Sequence, residues 1–313
     1  MTPEKITQLQ PRSDRALWIS HSLALAMRRS FDVIFCGHLN TAPLACAIAH
    51  AQRKPLWLQV HGIEAWDETR ITHRRSVAAS HLITSVSRYT RKRLLGWSTI
   101  HPERVHVLPN AIPESVSSLR IPSTRLRQGA NNDKKAILTV GRLNTAERYK
   151  GHDRIIAAMP KVLSKVPGTT YRIIGEGDDR ARLMTLAQNI GVHESIEFVG
   201  HVPQHELQNH YARAHVFAMP STGEGFGIVF LEAAAAGLPV IGGNLDGSVD
   251  ALAEGRIGRL INPNNQGDLV AALVDALTDM QPKPSPDLNR FAFANFARHV
   301  DGLLLKFSTN TAR

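Results

Sequence analysis

Short apolar segments of strand length alternate with helical segments twice along this chain of 313 residues. In the first half we predict strands at residues 32–35, 56–60, 81–84 and 105–108, and helices at residues 13–29, 42–51 and 87–95. Parallel strands need a long crossover connection, which is usually a helix. The alternation therefore predicts a parallel sheet with helices on both of its faces.

The same alternation starts again after an irregular stretch. Residues 111–133 contain prolines, serines and glycine without a sustained period, which is typical of a linker. We then predict further strands at residues 136–140, 171–174, 196–199, 215–218, 239–241 and 258–261, with helices between them and a last helix at 287–306. The expected fold is α/β, with two Rossmann-like, doubly wound parallel-sheet domains. The cleft between them is the expected ligand site.

Composition excludes several classes of protein. Two cysteines, Cys36 and Cys46, cannot supply a disulfide framework or a four-thiolate zinc site, and they fit a reducing compartment. No apolar run approaches the roughly 18 residues of a membrane-spanning helix. Residues 13–29 fit an amphipathic helix better than a signal peptide, because polar residues interrupt the apolar run and Arg28 and Arg29 follow it. We therefore expect a cytoplasmic protein.

Positive charge is concentrated in the first part of the chain. The net charge is +10, and residues 1–115 hold 15 Lys and Arg against 8 Asp and Glu. Such an excess suits a polyanion, an anionic membrane face or a phosphorylated substrate. No nucleic-acid-binding motif is present and aromatic residues are only 6% of the chain, so no nucleic-acid partner is expected.

The segment at 220–241, PSTGEGFGIVFLEAAAAGLPVI, carries the most chemical information. Gly225 and Gly227 allow a ligand to approach the backbone closely, and a helix follows at once. The first turn of a helix has free amide groups and the positive end of the dipole, so it can bind a phosphate. Glu224 and Glu232 flank this turn, and a carboxylate accepts hydrogen bonds from sugar or ribose hydroxyls. The alternative is a capped helix with a buried charge.

Two further segments follow strands and so lie at the carboxyl edge of a sheet. In VGRLNTAERYKGHD, at 140–153, Arg142 and Lys150 could neutralise a departing diphosphate without a metal. In LQVHGIEAW, at 58–66, His61 ends a strand and Gly62 permits a sharp turn towards the cleft. The alternatives are two solvated surface cations and a core or capping histidine.

These segments, in this order and spacing, resemble the retaining glycosyltransferase family 4, the group 1 transferases with the GT-B fold. The resemblance covers residues 31–277. It is carried most strongly by GRLNTAERYKGHD, RIIGEGDD, IEFVGHV, PSTGEGFGIVFLEAAAAGLPVI and GRLINP, and more weakly by VHGIEAW and VSRYTRKRL with VHVLPNAI.

The resemblance implies a role for each charged candidate. Glu224 and Glu232 correspond to the two acids of the family's E-x7-E motif, with Glu224 on the transferred sugar and Glu232 on the ribose. Arg142 and Lys150 would stabilise the leaving diphosphate. His61 would contact the donor sugar near the reacting carbon.

Backbone contacts are implied in the same way. The amides at Phe226, Gly227 and Ile228 would hold the diphosphate and the sugar. Gly141 and Val202 complete the implied substrate contacts, with the loop that contains Val202 against the nucleotide base. A nucleoside-diphosphate sugar would be the co-substrate. Neither a metal nor another cofactor is expected, since Arg142 and Lys150 replace the metal.

The implied reaction transfers the sugar to an acceptor hydroxyl with retention at the anomeric carbon, in cell-envelope or polysaccharide biosynthesis. The acceptor would be lipid-linked or a saccharide. The basic region at 70–93 could contact an anionic membrane at its inner face, or could be a solvated helix face.

The resemblance also implies the domain limits. We expect an acceptor-side domain at 1–115, a linker at 116–133 and a donor-binding domain at 134–285, with the helix at 286–313 packing back on the first domain. The acceptor-side domain is expected to lack its first strand, glycine-rich loop and helix, because the first glycine is Gly37. A late start codon, a truncated gene or divergence would each explain this, and the loss would expose an apolar sheet edge.

Two points stay open. In GGNLDGSVDAL, which stands where the family more often has Gly-Gly-x-x-Glu, Asp250 is the candidate for the acidic residue. The function itself has two alternatives. One is a nucleotide-sugar-binding remnant without turnover, and the other is a GT-B enzyme of another kind, such as a nucleotide-sugar epimerase.

Overall fold

The protein folds around two parallel sheets. The computed structural model describes residues 14–67, 70–112, 135–279 and 285–310. The predicted linker at 116–133 lies outside the described residues. The predicted α/β class with two parallel-sheet domains is confirmed.

The first sheet has four strands, all parallel, in the order β1-β2-β3-β4. In chain order its elements are α1 (Arg15–Arg28), β1 (Ile34–Cys36), α2 (Ala42–Gln52), β2 (Leu56–Val60), α3 (Ile71–Ala79), β3 (Leu82–Ser85), α4 (Arg88–Trp97) and β4 (Val105–Val107). Asp14 caps α1 and Ser87 caps α4, each accepting amide hydrogen bonds with its side chain. Both helices therefore begin where a cap satisfies free backbone groups.

The edge strand β1 leaves an aromatic side chain in solvent. Phe35 is 54% exposed and makes an edge-to-face contact with Trp57 of β2, with ring centroids 5.3 Å apart. β1 pairs only with β2 among the described strands. Phe35 therefore remains an exposed apolar residue on the edge strand of this sheet.

The second sheet has six parallel strands in the order β10-β9-β8-β5-β6-β7. In chain order its elements are β5 (Ala136–Val140), α5 (His152–Lys165), β6 (Thr170–Ile174), α6 (Arg180–Ile190), β7 (Ile196–Gly200), α7 (Gln204–Arg213), β8 (Val216–Met219), α8 (Ile228–Ala235), β9 (Val240–Gly243), α9 (Ser248–Ala251), β10 (Arg259–Ile261) and α10 (Gln266–Thr278). Ile137 and Leu138, neighbours on β5, point into separate cores on its two faces. Apolar cores on both faces explain the continuous apolar runs of these strands.

The last helix, α11 (Phe293–Asn310), contacts the first sheet. Leu303 is buried in a small apolar cluster with Trp57, Leu82 and Leu108. The carbonyl of Phe291, just before α11, accepts a hydrogen bond of 2.8 Å from the amide of Ile112, which follows β4. The chain beyond the second sheet therefore ties the two domains together. None of the helices in the described part of the chain is long and apolar enough to cross a bilayer.

An ion-pair cluster connects the domains near the start of α4. Arg88 donates to Asp250 of α9 over 2.7 Å and also to Glu254, both in the second domain. The pKa of Arg88 is raised, chiefly by its hydrogen bond to Asp250, although burial acts in the opposite direction. Asp250 is mostly covered, so Arg88 balances a carboxylate that has lost part of its solvation.

We predict that Arg88→Ala opens the cleft more than it unfolds the protein. The substitution removes the cation of the first domain that binds two carboxylates of the second domain, so these ion pairs no longer hold the domains together. The free energy of unfolding should fall by no more than about 1 kcal/mol, because Arg88 itself is largely exposed. Small-angle scattering should show a larger radius of gyration. Arg259→Ala breaks a 2.6 Å pair with Asp275 inside the second domain and is the control. Equal radii for both variants would contradict the prediction.

Candidate active site

The loop between β8 and α8 places Glu224 at the mouth of a helix. Residues 220–227 run from the end of β8 to Gly227, whose φ of 84° lies in the left-handed region. That conformation favours glycine and directs the chain into α8 at Ile228. Phe226 anchors the turn, because its ring is buried and packs edge-to-face on Phe291 at 5.8 Å.

The start of α8 offers amide groups to a ligand. Within the described residues, the backbone N–H groups from Gly225 to Ile228 donate no hydrogen bond. The dipole of α8 adds partial positive charge at the same point. The predicted contacts at Phe226, Gly227 and Ile228 therefore lie together. Phe226 can contribute only its amide, since its side chain is in the core.

Glu224 is an acid whose protonation changes near neutral pH. Burial raises its pKa to about 7, against the lowering effect of Lys150. The charges of Asp246 and Glu147 raise it further, and Arg142 lowers it. Glu224 therefore lies in the electrostatic field of both predicted cations.

The two cations converge on one carboxylate. The ammonium of Lys150 lies 2.8 Å from Glu147, and the guanidinium of Arg142 contacts the other oxygen of the same carboxylate. Lys150 is 9% exposed, and its side chain lies over Gly141. A Cβ on Gly141 would lie 3.4 Å from Cδ of Lys150. Arg142 instead has a side chain 75% exposed, so it can reorient towards a ligand.

The turn that holds Lys150 packs against the loop that holds Glu224. The amide of Thr222 donates to the carbonyl of Tyr149 over 2.9 Å. A Cβ on Gly223 would lie 2.6 Å from the ring of Tyr149, so only glycine fits there. Burial, together with the charges of Glu224 and Glu147, raises the pKa of the Tyr149 hydroxyl. The cations and the acid are thus parts of one surface.

His61 reaches this surface from the first domain. A Cβ on Gly225 would lie 1.9 Å from the carbonyl oxygen of His61, so the two backbones are in direct contact. The ring is exposed, and its Nε2 donates to the carbonyl of Gly37 over 2.8 Å. This bond leaves Nδ1 as the nitrogen that can accept a hydrogen bond. The ring of His38 stacks on it, with centroids 6.0 Å apart.

Glu232 lies further along α8 and is buried. The hydroxyl of Tyr211 donates to one of its carboxylate oxygens over 2.9 Å. Burial raises the pKa of Glu232, and hydrogen bonds from Tyr211 and Gln204 oppose that change. The side chain of Val202 is buried in the same core as Tyr211. Val202 can therefore meet a ligand only through its backbone.

Two acids lie in the segment after β9: Asp250, which the sequence analysis named as a candidate, and Asp246, which it did not single out. The structure places Asp250 against Arg88, at the domain interface. Asp246 instead contacts the Glu224 loop, since its carboxylate accepts from the amide of Glu224 over 2.7 Å. The signal that the sequence offers for Asp246 is its place directly before Gly247, in a segment where an acid was expected.

The basic region at 70–93 is partly occupied by contacts within the protein. Arg91 donates to the carbonyls of Val105 and Pro102, and Arg93 pairs with Asp67. Together with Arg88, three of its arginines are held by protein groups. Among the described residues, no group of three or more His, Cys, Asp or Glu side chains is arranged to hold a metal ion.

Comparison with known proteins matches both parts of the chain. The family described as "Glycosyl transferases group 1" matches residues 121–292, and "Glycosyltransferase Family 4" matches residues 3–116. A GDP-mannose-dependent alpha-(1-6)-phosphatidylinositol monomannoside mannosyltransferase of Mycolicibacterium smegmatis is 30% identical over 253 residues, covering 76% of this chain and 65% of that protein. A glycogen synthase of Mycobacterium tuberculosis is 39% identical over 143 residues, covering 46% of this chain and 34% of that protein. The chain thus spans less than two thirds of these relatives.

Solved structures share the fold. HepE of Anabaena, in complex with UDP and glucose, superposes with a TM-score of 0.76 at 19% identity, covering 92% of this chain and 81% of that one. Sucrose-phosphate synthase of Thermosynechococcus elongatus has a TM-score of 0.76 at 19% identity, covering 94% and 78%. The predicted GT-B arrangement is confirmed by these matches.

We predict that Glu224→Gln is more stable than wild type only at pH values at which Glu224 of the wild type loses its proton. The pKa of Glu224 is about 7 in the folded state, against 4.5 for the free side chain. Wild type therefore loses stability as the pH rises between these values, because the unfolded chain gives up the proton first. The difference in Tm between the variant and wild type should grow from pH 5 to pH 7 and then stay constant. Scanning calorimetry at pH 5, 6, 7 and 8 measures it, and an unchanging difference would contradict the assignment.

Proposed function

Because the chain belongs to the family of group 1 glycosyl transferases, we propose that it transfers a sugar from a nucleoside-diphosphate sugar to an acceptor hydroxyl, with retention at the anomeric carbon. One observation carries the proposal. The free amides of α8, the acid Glu224 and the cations Arg142 and Lys150 face one another where the two domains touch.

The diphosphate of the donor would bind at the start of α8. Free amides and the helix dipole favour an anion there. Lys150 and Arg142 would turn from Glu147 to the diphosphate oxygens and stabilise the charge that develops as the group leaves. This arrangement supports a reaction without a metal, which we propose as well.

Glu224 would hold the transferred sugar. Its ionised carboxylate accepts hydrogen bonds from sugar hydroxyls, and its protonated form loses acceptor capacity. The raised pKa therefore predicts that activity increases through neutral pH. Glu232 would accept from the ribose with the capacity that Tyr211 leaves free. The backbones at Gly141 and Val202 would line the remaining part of the nucleotide pocket.

His61 would lie beside the reacting carbon on the acceptor side. In the proposed reaction, the bond from the anomeric carbon to the diphosphate oxygen breaks, and the diphosphate keeps the electron pair. The acceptor oxygen then forms its bond on the face that the diphosphate leaves, which retains the configuration. We propose no nucleophile from the protein. His61 is suited to contact the sugar here, because its backbone touches the Glu224 loop.

The relatives suggest which substrates to test first. One of them is named as a GDP-mannose-dependent enzyme of phosphatidylinositol mannosides. We propose a lipid-linked or saccharide acceptor in envelope or polysaccharide biosynthesis, reached from the cytoplasm with peripheral contact to an anionic membrane. The arginines already held by protein groups would contribute little to that contact.

Binding and turnover should be measured separately. Calorimetry with GDP and UDP tests the nucleotide site. Release of diphosphate from GDP-mannose and UDP-glucose is then followed with and without phosphoinositide acceptors, and the product's anomeric configuration is read by NMR. Transfer with retention would support the proposal. Binding without hydrolysis or transfer would favour a nucleotide-sugar-binding remnant. Isomerised donor sugar without an acceptor would favour an epimerase.

We predict that Lys150→Ala weakens diphosphate binding and slows turnover by more than about tenfold, as expected for one preorganised electrostatic group. The removed ammonium is buried beside Glu147, so the variant also leaves that carboxylate without its close cation. Calorimetry and steady-state rates measure the two effects. Lys161→Ala removes an exposed lysine of α5 and should change neither. Unchanged kinetics in Lys150→Ala would remove Lys150 from the site.

We predict that Glu224→Ala abolishes transfer and spares nucleotide binding. The side chain would contact the sugar, whereas the diphosphate would be held by amides and by Lys150. Transfer rates and the Kd for the nucleoside diphosphate measure the two parts. Comparable transfer by the variant would exclude Glu224 from the reaction. A Kd that rises as much as the rate falls would place Glu224 on the nucleotide instead.

A further inference from the structure

We propose that Asp246 is a positioning residue that fixes Glu224 through its main chain. The inference rests on the proposed function for the role of Glu224, and on geometry for the contact itself. Asp246 follows β9 and is 2% exposed. Burying a carboxylate costs free energy unless hydrogen-bond donors surround it. The donors around Asp246 therefore identify the groups that it positions.

Both oxygens of Asp246 are used. Oδ2 accepts from the amide of Glu224 over 2.7 Å and from the hydroxyl of Ser221 over 2.8 Å. Oδ1 accepts from the amide of Ser248 over 2.9 Å. Asp246 takes part in no ion pair among the described residues. Three hydrogen bonds from neutral donors therefore balance its charge, and two of them come from the Glu224 loop.

The next residue fixes Glu224 from its other backbone group. The amide of Gly247 donates to the carbonyl of Glu224 over 2.8 Å. A Cβ on Gly247 would lie 2.0 Å from the carbonyl oxygen of Gly225, so the two loops are in close contact. Both polar backbone groups of Glu224 are thus held by the Asp246–Gly247 pair, which leaves its side chain as the part free to face a ligand.

The same segment connects Glu224 to the first domain. Asp250 lies four residues after Asp246, at the end of the short helix α9, and binds Arg88. The contact that joins the domains and the contact that holds the acid therefore lie on one short stretch of chain. Asp246 holds the main chain of Glu224, whereas Asp250 makes the ion pair with Arg88 of the first domain.

Asp246→Asn tests the proposal with little change in shape. An amide nitrogen in place of either oxygen would face an N–H or O–H donor and lose that hydrogen bond. We expect kcat to fall by about 10- to 100-fold, as for a reacting group displaced by a fraction of an ångström to an ångström. KM for the donor and the Kd for the nucleoside diphosphate should change little, because the α8 amides and Lys150 remain. Wild-type kcat in a folded variant would overturn the proposal.

The pH profile adds a readout that a purely structural role would not move. The negative charge of Asp246 is one cause of the raised pKa of Glu224. Its loss should shift the acidic limb of kcat to lower pH. Ser221→Ala removes one hydrogen bond and keeps the charge, so it should lower kcat less and leave the limb in place. Asp275→Asn removes a surface charge of α10 and is the matched control. An unshifted limb in Asp246→Asn would contradict the proposal.

A measurement on the unaltered protein covers the case in which Asp246→Asn does not fold, and it is independent of activity. With selective ¹⁵N-glutamate labelling, the amide of Glu224 should exchange its hydrogen slowly in the absence of nucleotide, because Asp246 holds it. Rapid exchange of this amide in the folded protein would overturn the inference. A slow amide in a protein that transfers no sugar would contradict the proposed function and leave the positioning by Asp246 intact.

Discussion

The close contact between the carbonyl of His61 and the backbone of Gly225 sets how closely the two sides of the cleft approach each other. It brings the carboxyl end of β2 in one domain against the Glu224 loop of the other, so that His61 lies next to the loop that carries Glu224 and leads into α8. A side chain on Gly225 would separate the two domains here. The interface around Arg88 and the packing of Leu303 keep the domains at the distance at which this contact forms.

Within the second domain, the site is built by loops that support one another. The turn with Lys150 covers Gly223, and the loop with Asp246 holds Glu224. Each contact needs a glycine or a short polar side chain, because the backbones approach so closely. The same packing places a buried cation, a bridging carboxylate and a half-buried acid close together. The pKa of Glu224 rises chiefly because it is buried, and Lys150 opposes that rise.

The strands and helices could be predicted from the sequence because buried parallel strands leave continuous apolar runs between helices. Glu224, Lys150 and the start of α8 could be placed in one cleft because each follows a strand. The role of Asp246 could not be predicted. It depends on which of two acids, four residues apart, turns inward, and packing around Gly247 decides that. Likewise, no sequence feature singled out Glu147, which the turn places between two cations.

The bridge formed by Glu147 has a consequence for which anions can enter. An empty cleft with two unbalanced cations would attract any passing phosphate, but here the protein supplies its own counter-ion. The binding free energy of an incoming anion is therefore only the difference between its own contacts with the cations and the contacts of Glu147 that it displaces. Any anion that takes Arg142 and Lys150 must therefore make better contacts with them than the carboxylate of Glu147 does.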